Sequence, residues 1–280
     1  MAGLKDMPIP ILLYHSIDTE CADAYRRWMM LPSEFRAHLQ VLKDEGHTPL
    51  TVSQLVACRT GKRKLPAAPV VISFDDGLRD FLTGAMPVLS EFGFPATLYV
   101  VSGCIGQTSG WLAELGEGRR EMLGWREIRE LHDAGIEIGA HTVSHPELDI
   151  LPAARAEHEI ADSKRQLQDG LQAEVRSFAY PHGYASRVTR DLVRKAGYES
   201  ACRVRHAFSS PDEHSFALSR IIATSEITAD GLRDLLARPS LPVAPPVTRP
   251  AAECWRIYRQ VKQAMRGPGP AAPASLQSRT

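Results

Sequence analysis

Two carboxylates, Asp75 and Asp76, stand side by side in the stretch VVISFDDGLRD, directly after a run of apolar β-branched residues and before Gly77. Adjacent acids repel, and without a nearby cation one of them is driven toward its protonated form. A metal ion resolves the conflict. One carboxylate can coordinate it while the neighbour stays free to take a proton from the water the ion activates. The triplet also suits a turn with a helix cap, since Asp and Gly favour both, and the two readings are compatible. A second stretch, AHTVSHP, spaces His141 and His145 four residues apart. On one turn of helix or in a tight loop, that spacing can aim both imidazoles at a common centre. With one carboxylate it makes a His₂Asp site with open positions for water and substrate. Taken alone, the pair reads as two unrelated surface histidines; the paired aspartates shift the reading to metal.

These residues need a common rim, and the elements around them supply one. Short apolar runs predict strands over 8–16, 69–74, 96–101, 136–140, 175–179, 200–203 and 218–222. Helical spacing predicts helices over 31–46, 52–57, 78–92, 125–134, 152–169 and 186–196. Repeated βα units favour a parallel sheet, and six or seven of them favour a barrel, whose active site lies at the C-terminal ends of its strands. His15, the two aspartates, the two histidines and the Tyr180-Pro181-His182-Gly183 turn each follow a predicted strand. The Gly- and charge-rich segment 102–121 is long for a connection in a compact domain and reads as a functional insertion.

The chain has 280 residues, with 33 Lys and Arg against 33 Asp and Glu. That balance gives no footing for nucleic acid or an anionic membrane surface as a general partner. Five scattered cysteines without a CxxC pair read as reduced thiols in a cytoplasmic protein. The proline-interrupted N-terminal run matches neither a signal peptide nor a membrane span. Composition shifts after residue 237, so a catalytic domain is expected over 5–237. A Pro/Ala-rich tail follows over 238–280, with a short amphipathic helix at 253–265.

SFDDG, HTVSH and FAYPHG, in that order and each after a predicted strand, resemble the motifs of the polysaccharide deacetylase family, the NodB-homology domain of carbohydrate esterases. The resemblance spans roughly residues 8–222 and implies an α/β fold of a particular kind, a distorted (β/α)7 barrel. It implies hydrolysis of an acetamide on an N-acetylated sugar in a polysaccharide, exopolysaccharide or glycan precursor. Carried over by position, Asp75 is the general base. Asp76, His141 and His145 hold a divalent ion, most often zinc. The oxyanion is then expected to meet the ion and a backbone N–H in the Tyr180 segment.

The chain departs from the family pattern twice. Ala179 stands where many members carry an arginine that pairs with the catalytic aspartate, so another group must orient Asp75; Arg220 or Arg126 could reach the rim. Arg220 itself occupies the place of a histidine that commonly protonates the leaving amine, and a guanidinium is a poor proton donor. His15 is the first candidate for that acid, because an imidazole at the end of the first strand can titrate near neutrality. Tyr180, Pro181, Trp125 and Arg220 complete the expected substrate-side residues, with the Trp125 indole able to stack on a sugar face. Two other readings stay open: an amidohydrolase acting on an imide or ureide, and a glycan-binding member that has lost its acid.

Overall fold

The computed structural model describes residues 7–237 and 254–261. The chain runs β1 (Ile11–Tyr14), β2 (Ser16–Ile17), β3 (Met29–Met30), α1 (Pro32–Asp44), β4 (Thr48–Leu50), α2 (Val52–Arg59) and β5 (Pro69–Phe74). It continues through α3 (Met86–Phe92), β6 (Thr97–Val100), α4 (Trp125–Asp133), β7 (Glu137–Ala140), α5 (Ala153–Leu171) and β8 (Ser177–Ala179). The domain ends with α6 (Arg187–Lys195), β9 (Ser200–Val204), β10 (Leu218–Ile222) and α7 (Ala229–Ala237). Residues 254–261 are helical; the rest of the helix expected over 253–265 lies outside the described residues.

β5, β6, β7, β8, β9, β10 and β1 are joined by parallel pairings, and β1 then pairs with β5, which closes a seven-stranded barrel. β4 pairs with the first residues of β5, Pro69 to Val71, ahead of the stretch that pairs with β6. The closing strand sets the register on both sides: Leu12 is opposite Ile221 of β10 and opposite Ile72 of β5. The (β/α)7 barrel expected from the motifs is therefore present. The predicted helix over 78–92 is a bend followed by a π-turn over Phe81–Ala85 and the shorter α3. The short strands β2, β3 and β4 have no signal in the sequence pattern.

Side-chain alternation along the strands separates two cores. Leu12, Ile72, Phe74, Leu98, Ile138, Phe178, Tyr180 and Ile221 pack outward beneath the helices. Ile11, Val71, Tyr99, Ala179, Cys202 and Leu218 pack together inside the barrel, where Leu55 and Val56 of α2 join them. The inward positions also carry polar atoms. The Tyr99 hydroxyl donates to Cys202 Sγ at 3.4 Å, and the Arg220 guanidinium lies 5.4 Å from the centre of the Tyr99 ring. A parallel barrel this narrow can admit such groups only where neighbouring positions are small.

Gly139 is one of those small positions. A Cβ there would lie 2.5 Å from two Tyr99 ring carbons and 2.9 Å from Ser177 Oγ. Gly139→Ala must push the Tyr99 ring toward Arg220 and is expected to lower stability by about 1–3 kcal/mol, the usual cost of overpacking. Urea denaturation checks it, and an unchanged midpoint would contradict the tight packing.

Candidate active site

β5 delivers the two aspartates to different surroundings. Asp75 continues the inward parity of Ser73, and its N–H donates to the Tyr14 carbonyl at 3.0 Å. Both of its carboxylate oxygens accept from Arg220, Oδ1 from Nη1 and Oδ2 from Nη2, each at 2.6 Å. Arg220 is 0% exposed and Asp75 4%. Burial by itself pushes the Asp75 carboxyl up, but the guanidinium, helped by His141 and His15, brings it below the usual carboxylate range, so it stays ionised. The next residue turns away. Asp76 has φ 78° and Gly77 φ 79°, and the turn is held by the Val101 N–H donating to the Asp76 carbonyl at 3.3 Å. Asp76 is likewise buried, which raises its pKa, yet a hydrogen bond and the nearby charge of His145 hold it far below the ordinary range.

His141 follows β7. Its Nδ1 lies 2.8 Å from the Ala179 carbonyl, which can only accept, so Nδ1 carries the proton and Nε2 presents a lone pair. Burial lowers its pKa to about 4, so the ring is a neutral ligand at neutral pH. His145 arrives by a loop with φ 68° at Thr142 and 61° at His145. Glu159 of α5 clamps that loop: its carboxylate accepts from the Val143 and Ser144 N–H groups, both at 2.9 Å, and from the Ser144 hydroxyl at 2.6 Å.

The ligand atoms of Asp76, His141 and His145 lie within 4.8 Å of one another, and all three residues are buried. Asp76 Oδ1 is 3.3 Å from His145 Nε2 and 3.7 Å from His141 Nε2. Ligands held about 2.0–2.1 Å from a tetrahedral ion are roughly 3.3 Å apart, so the group fits a divalent metal ion. Asp75 stands just outside it, 3.9 Å from His141 Nε2.

A cavity of about 310 Å³ opens over this group, lined by Leu13, His15, Tyr25, Trp28, Trp111 and His182 among others. His15 is half-buried, with its ring 5.0 Å from that of Trp28. Burial lowers its pKa, while Asp76 and Asp75 pull it back up. Trp111 stacks on His145 at 4.9 Å and 23°, and His182 meets the same ring edge-on at 4.8 Å.

Four expected substrate-side residues lie elsewhere. Tyr180 is on the outward parity of β8: it is fully buried, its hydroxyl donates to the Phe216 carbonyl at 3.0 Å, and its N–H donates to Cys202. It therefore supplies neither a ring nor a free amide to the rim. Pro181 is buried and carries no N–H, so the cavity is lined instead by the next two residues, His182 and Gly183. Trp125 packs against α5, where a Cβ on Gly170 would lie 2.1 Å from its ring. Arg220 is sealed inside the barrel and orients Asp75 rather than touching substrate. Arg126, the other candidate for that role, is solvent-exposed on α4 and pairs loosely with Glu130. The residues that motif reading missed are Tyr25, Trp28 and Trp111; His182 is expected on the rim as part of its turn, and it is the member of that turn whose ring lines the cavity. The length of segment 102–121 marked it as an insertion, and it does supply Trp111, Leu112, Glu114 and Leu115 to the cavity.

The profile described as Polysaccharide deacetylase matches residues 62–201, half of the chain. A Bacillus subtilis protein, YxkH, named as a polysaccharide deacetylase, is 29% identical over 218 residues, covering 78% of this chain and 72% of its own length. The poly-β-1,6-N-acetyl-D-glucosamine N-deacetylase of Escherichia coli strain K12 is 24% identical over 66% of this chain, which spans only 32% of that longer protein. Among solved structures, the Streptococcus pyogenes deacetylase PplD in complex with acetate superposes with a TM-score of 0.72 at 25% identity, over 83% of this chain and all of the other.

The geometry separates the two aspartates in a way that metal titration can read without any assay of turnover. Calorimetry with zinc on the apo-protein is expected to give one site per chain. Asp76→Asn should weaken that site at least a hundredfold, and Asp75→Asn should leave it within tenfold of wild type. Equal losses in the two variants would erase the division.

Proposed function

The chain belongs to the polysaccharide deacetylase family, and from the site it carries we propose that it is a metal-dependent hydrolase that removes N-acetyl groups from an N-acetylated sugar in a polysaccharide, exopolysaccharide or glycan precursor. One observation carries the reading. Adjacent aspartates are divided between a buried guanidinium and a pair of imidazoles, so that one is oriented as a base and the other faces a cation site.

Asp76, His141 and His145 are the residues that hold the divalent ion, zinc in our reading, since two neutral imidazoles and one carboxylate suit that ion. When bound there, the ion supplies Lewis-acid polarisation of the acetyl carbonyl and lowers the pKa of water. The chain's own groups do the rest. Asp75 is ionised and takes a proton from the attacking water, and Arg220 fixes which carboxylate lone pairs remain available to it. Both aspartates are ionised before water attacks, since both sit below the ordinary carboxylate range. The proton first available to the leaving nitrogen is therefore an imidazole's. We assign that role to His15, which lines the cavity and whose pKa, lowered by burial, is pulled back up by the charges of Asp76 and Asp75. Leu13, Val204 and Ile222 give the cavity an apolar side.

The name of the Escherichia coli relative points to poly-β-1,6-N-acetylglucosamine or a precursor of such a glycan as the substrate class. All five cysteines are free, which favours a reducing compartment. There a cytoplasmic enzyme would meet lipid-linked or nucleotide-linked precursors. No helix among the described residues is long and apolar enough to cross a membrane. A ligand-binding protein without turnover would have no use for a base held bidentately beside the cation site, and this disfavours the binding-only reading.

Acetate release from β-1,6-linked N-acetylglucosamine oligomers tests the proposal. Wild type should release acetate, lose the activity on chelation and regain it with zinc. Asp75→Asn should lower kcat by about 10³-fold or more, in the range of lost general-base catalysis and orientation. His15→Ala should cost about 10²-fold. No acetate from any N-acetylated oligomer by metal-loaded wild type would sink the reading.

A further inference from the structure

Two rim insertions build the aromatic side of the cavity, and one buried arginine holds them together. The first insertion, between β2 and β3, contains a 3-10 helix over Asp23–Trp28 and supplies Tyr25 and Trp28. The second contains a 3-10 helix over Gly110–Leu115 and supplies Trp111, Leu112 and Leu115. They share a small core in which Tyr25, Met29, Leu78, Val101, Leu112 and Met122 are buried. Helices this short do not hold their own position; backbone bonds from Leu123 to Gly77 and from Arg79 to Glu121 tie the second insertion to the aspartate segment, and the tie to the first insertion comes from Arg120 and its neighbours.

Arg120 ends the second insertion with its side chain only 10% exposed. Its Nη2 donates to Asp80 at 2.9 Å, to Asp18 at 2.6 Å and to the Ser16 hydroxyl at 3.0 Å. Its Nη1 reaches the Glu20 carbonyl at 3.3 Å and Glu117 at 3.4 Å, and its guanidinium lies 5.5 Å from the centre of the Tyr25 ring. Glu117 in turn accepts from the Ala22 N–H, which crosses from the second insertion back to the first. Asp80 is the fixed end of this network. It follows Asp76 by four residues, is largely buried, and also accepts from Ser16 at 2.8 Å. One side chain therefore touches the first insertion, the second insertion and the segment that carries the two catalytic-motif aspartates.

The wall so built has features of a ring-binding surface. Trp111 lies flat on His145, and Trp28 packs beside His15. The Tyr25 hydroxyl and the Trp111 indole N–H are buried without a hydrogen-bond partner among the described residues, and both residues line the cavity. Two unpaired polar groups beside three aromatic rings suit a hydroxyl-rich ring ligand, which offers a stacking face and acceptors together.

We propose that Arg120 is a positioning residue for substrate binding: by joining both insertions to Asp80 it fixes the Tyr25, Trp28 and Trp111 wall at the distance from Asp75 and Asp76 that holds a sugar ring over them. This inference rests on the deacetylase reading and adds to it a determinant of substrate affinity outside the family motifs. A fork that satisfies several acceptors at once is a task for arginine that lysine fills only in part.

The test uses three variants of the full chain: Arg120→Met, Arg120→Lys, and Arg120→Met combined with Asp80→Asn, which removes the Asp80 charge that the first substitution leaves without its cation. With N-acetylglucosamine oligomers, Arg120→Met and the double variant should raise KM tenfold or more with kcat within threefold of wild type. Zinc affinity should stay within twofold, and Arg120→Lys should recover part of the lost affinity. Calorimetric binding of the same oligomers in an Asp75→Asn background should weaken in parallel. An unchanged KM in folded variants would overturn the inference while leaving the deacetylase reading intact, as would a fall in kcat alone, or loss of folded protein in all three. A wild type that neither hydrolyses nor binds the oligomers would overturn both.

Discussion

The bidentate pair between Arg220 and Asp75 is the interaction on which the site depends. Two charges with almost no solvent contact are tolerated because they pair bidentately, Nη1 to Oδ1 and Nη2 to Oδ2, and removing either partner from such a pair typically costs about 3–5 kcal/mol. The partners are 145 residues apart and come from β10 and β5. Those strands never pair with each other; each pairs with β1, which carries the register across. A slip of one residue on either side of β1 would turn Arg220 outward or Asp75 away. Barrel closure and the orientation of the base are thus one structural event.

Around that fixed pair the site concentrates strained backbone. Asp76, Thr142, His145 and His182 all have positive φ without being glycine, and such residues cost on the order of 1–3 kcal/mol each. Two of these turns have an anchor outside themselves. Val101 holds the Asp76 carbonyl and Glu159 of α5 holds the histidine loop, within which the Thr142 hydroxyl accepts from the His145 N–H at 2.9 Å. The strain is what directs Asp76 and His145 to one point, since residues continuing as strand would diverge to alternate faces of the sheet. The ligand groups of this site are set by the barrel and α5 together.

Much of the site was legible because its chemistry is local in sequence. Asp75 and Asp76 are adjacent, His141 and His145 sit within one turn, and each group follows a strand whose apolar run is unambiguous. The errors came where side-chain parity matters. Tyr180 and Arg220 are each at or near the end of a strand, and sequence proximity to the rim gives no sign of which face a residue takes; β8 turns Tyr180 outward beneath the helices, and β10 turns Arg220 inward. Trp125 starts a helix near the rim, but the open space on Gly170 of α5 draws its indole into a helix contact. Trp28 and Trp111 went unread because irregular segments carry no periodicity to interpret.

By itself the sequence determined the order of strands and helices, the α/β class, and the pairing of acids with imidazoles at strand ends, because burial periodicity and the types of titratable residue are properties of short stretches. The tertiary structure alone decided which arginine holds Asp75, how Asp76 is turned toward the two imidazoles, and which aromatics face the cavity. Those outcomes depend on barrel register and on two insertions meeting at Arg120, contacts between residues as far apart in sequence as Leu12 and Ile221. What each carboxylate of the Asp75-Asp76 pair does is therefore set by partners supplied from distant strands, while the presence of the pair is written in two consecutive residues.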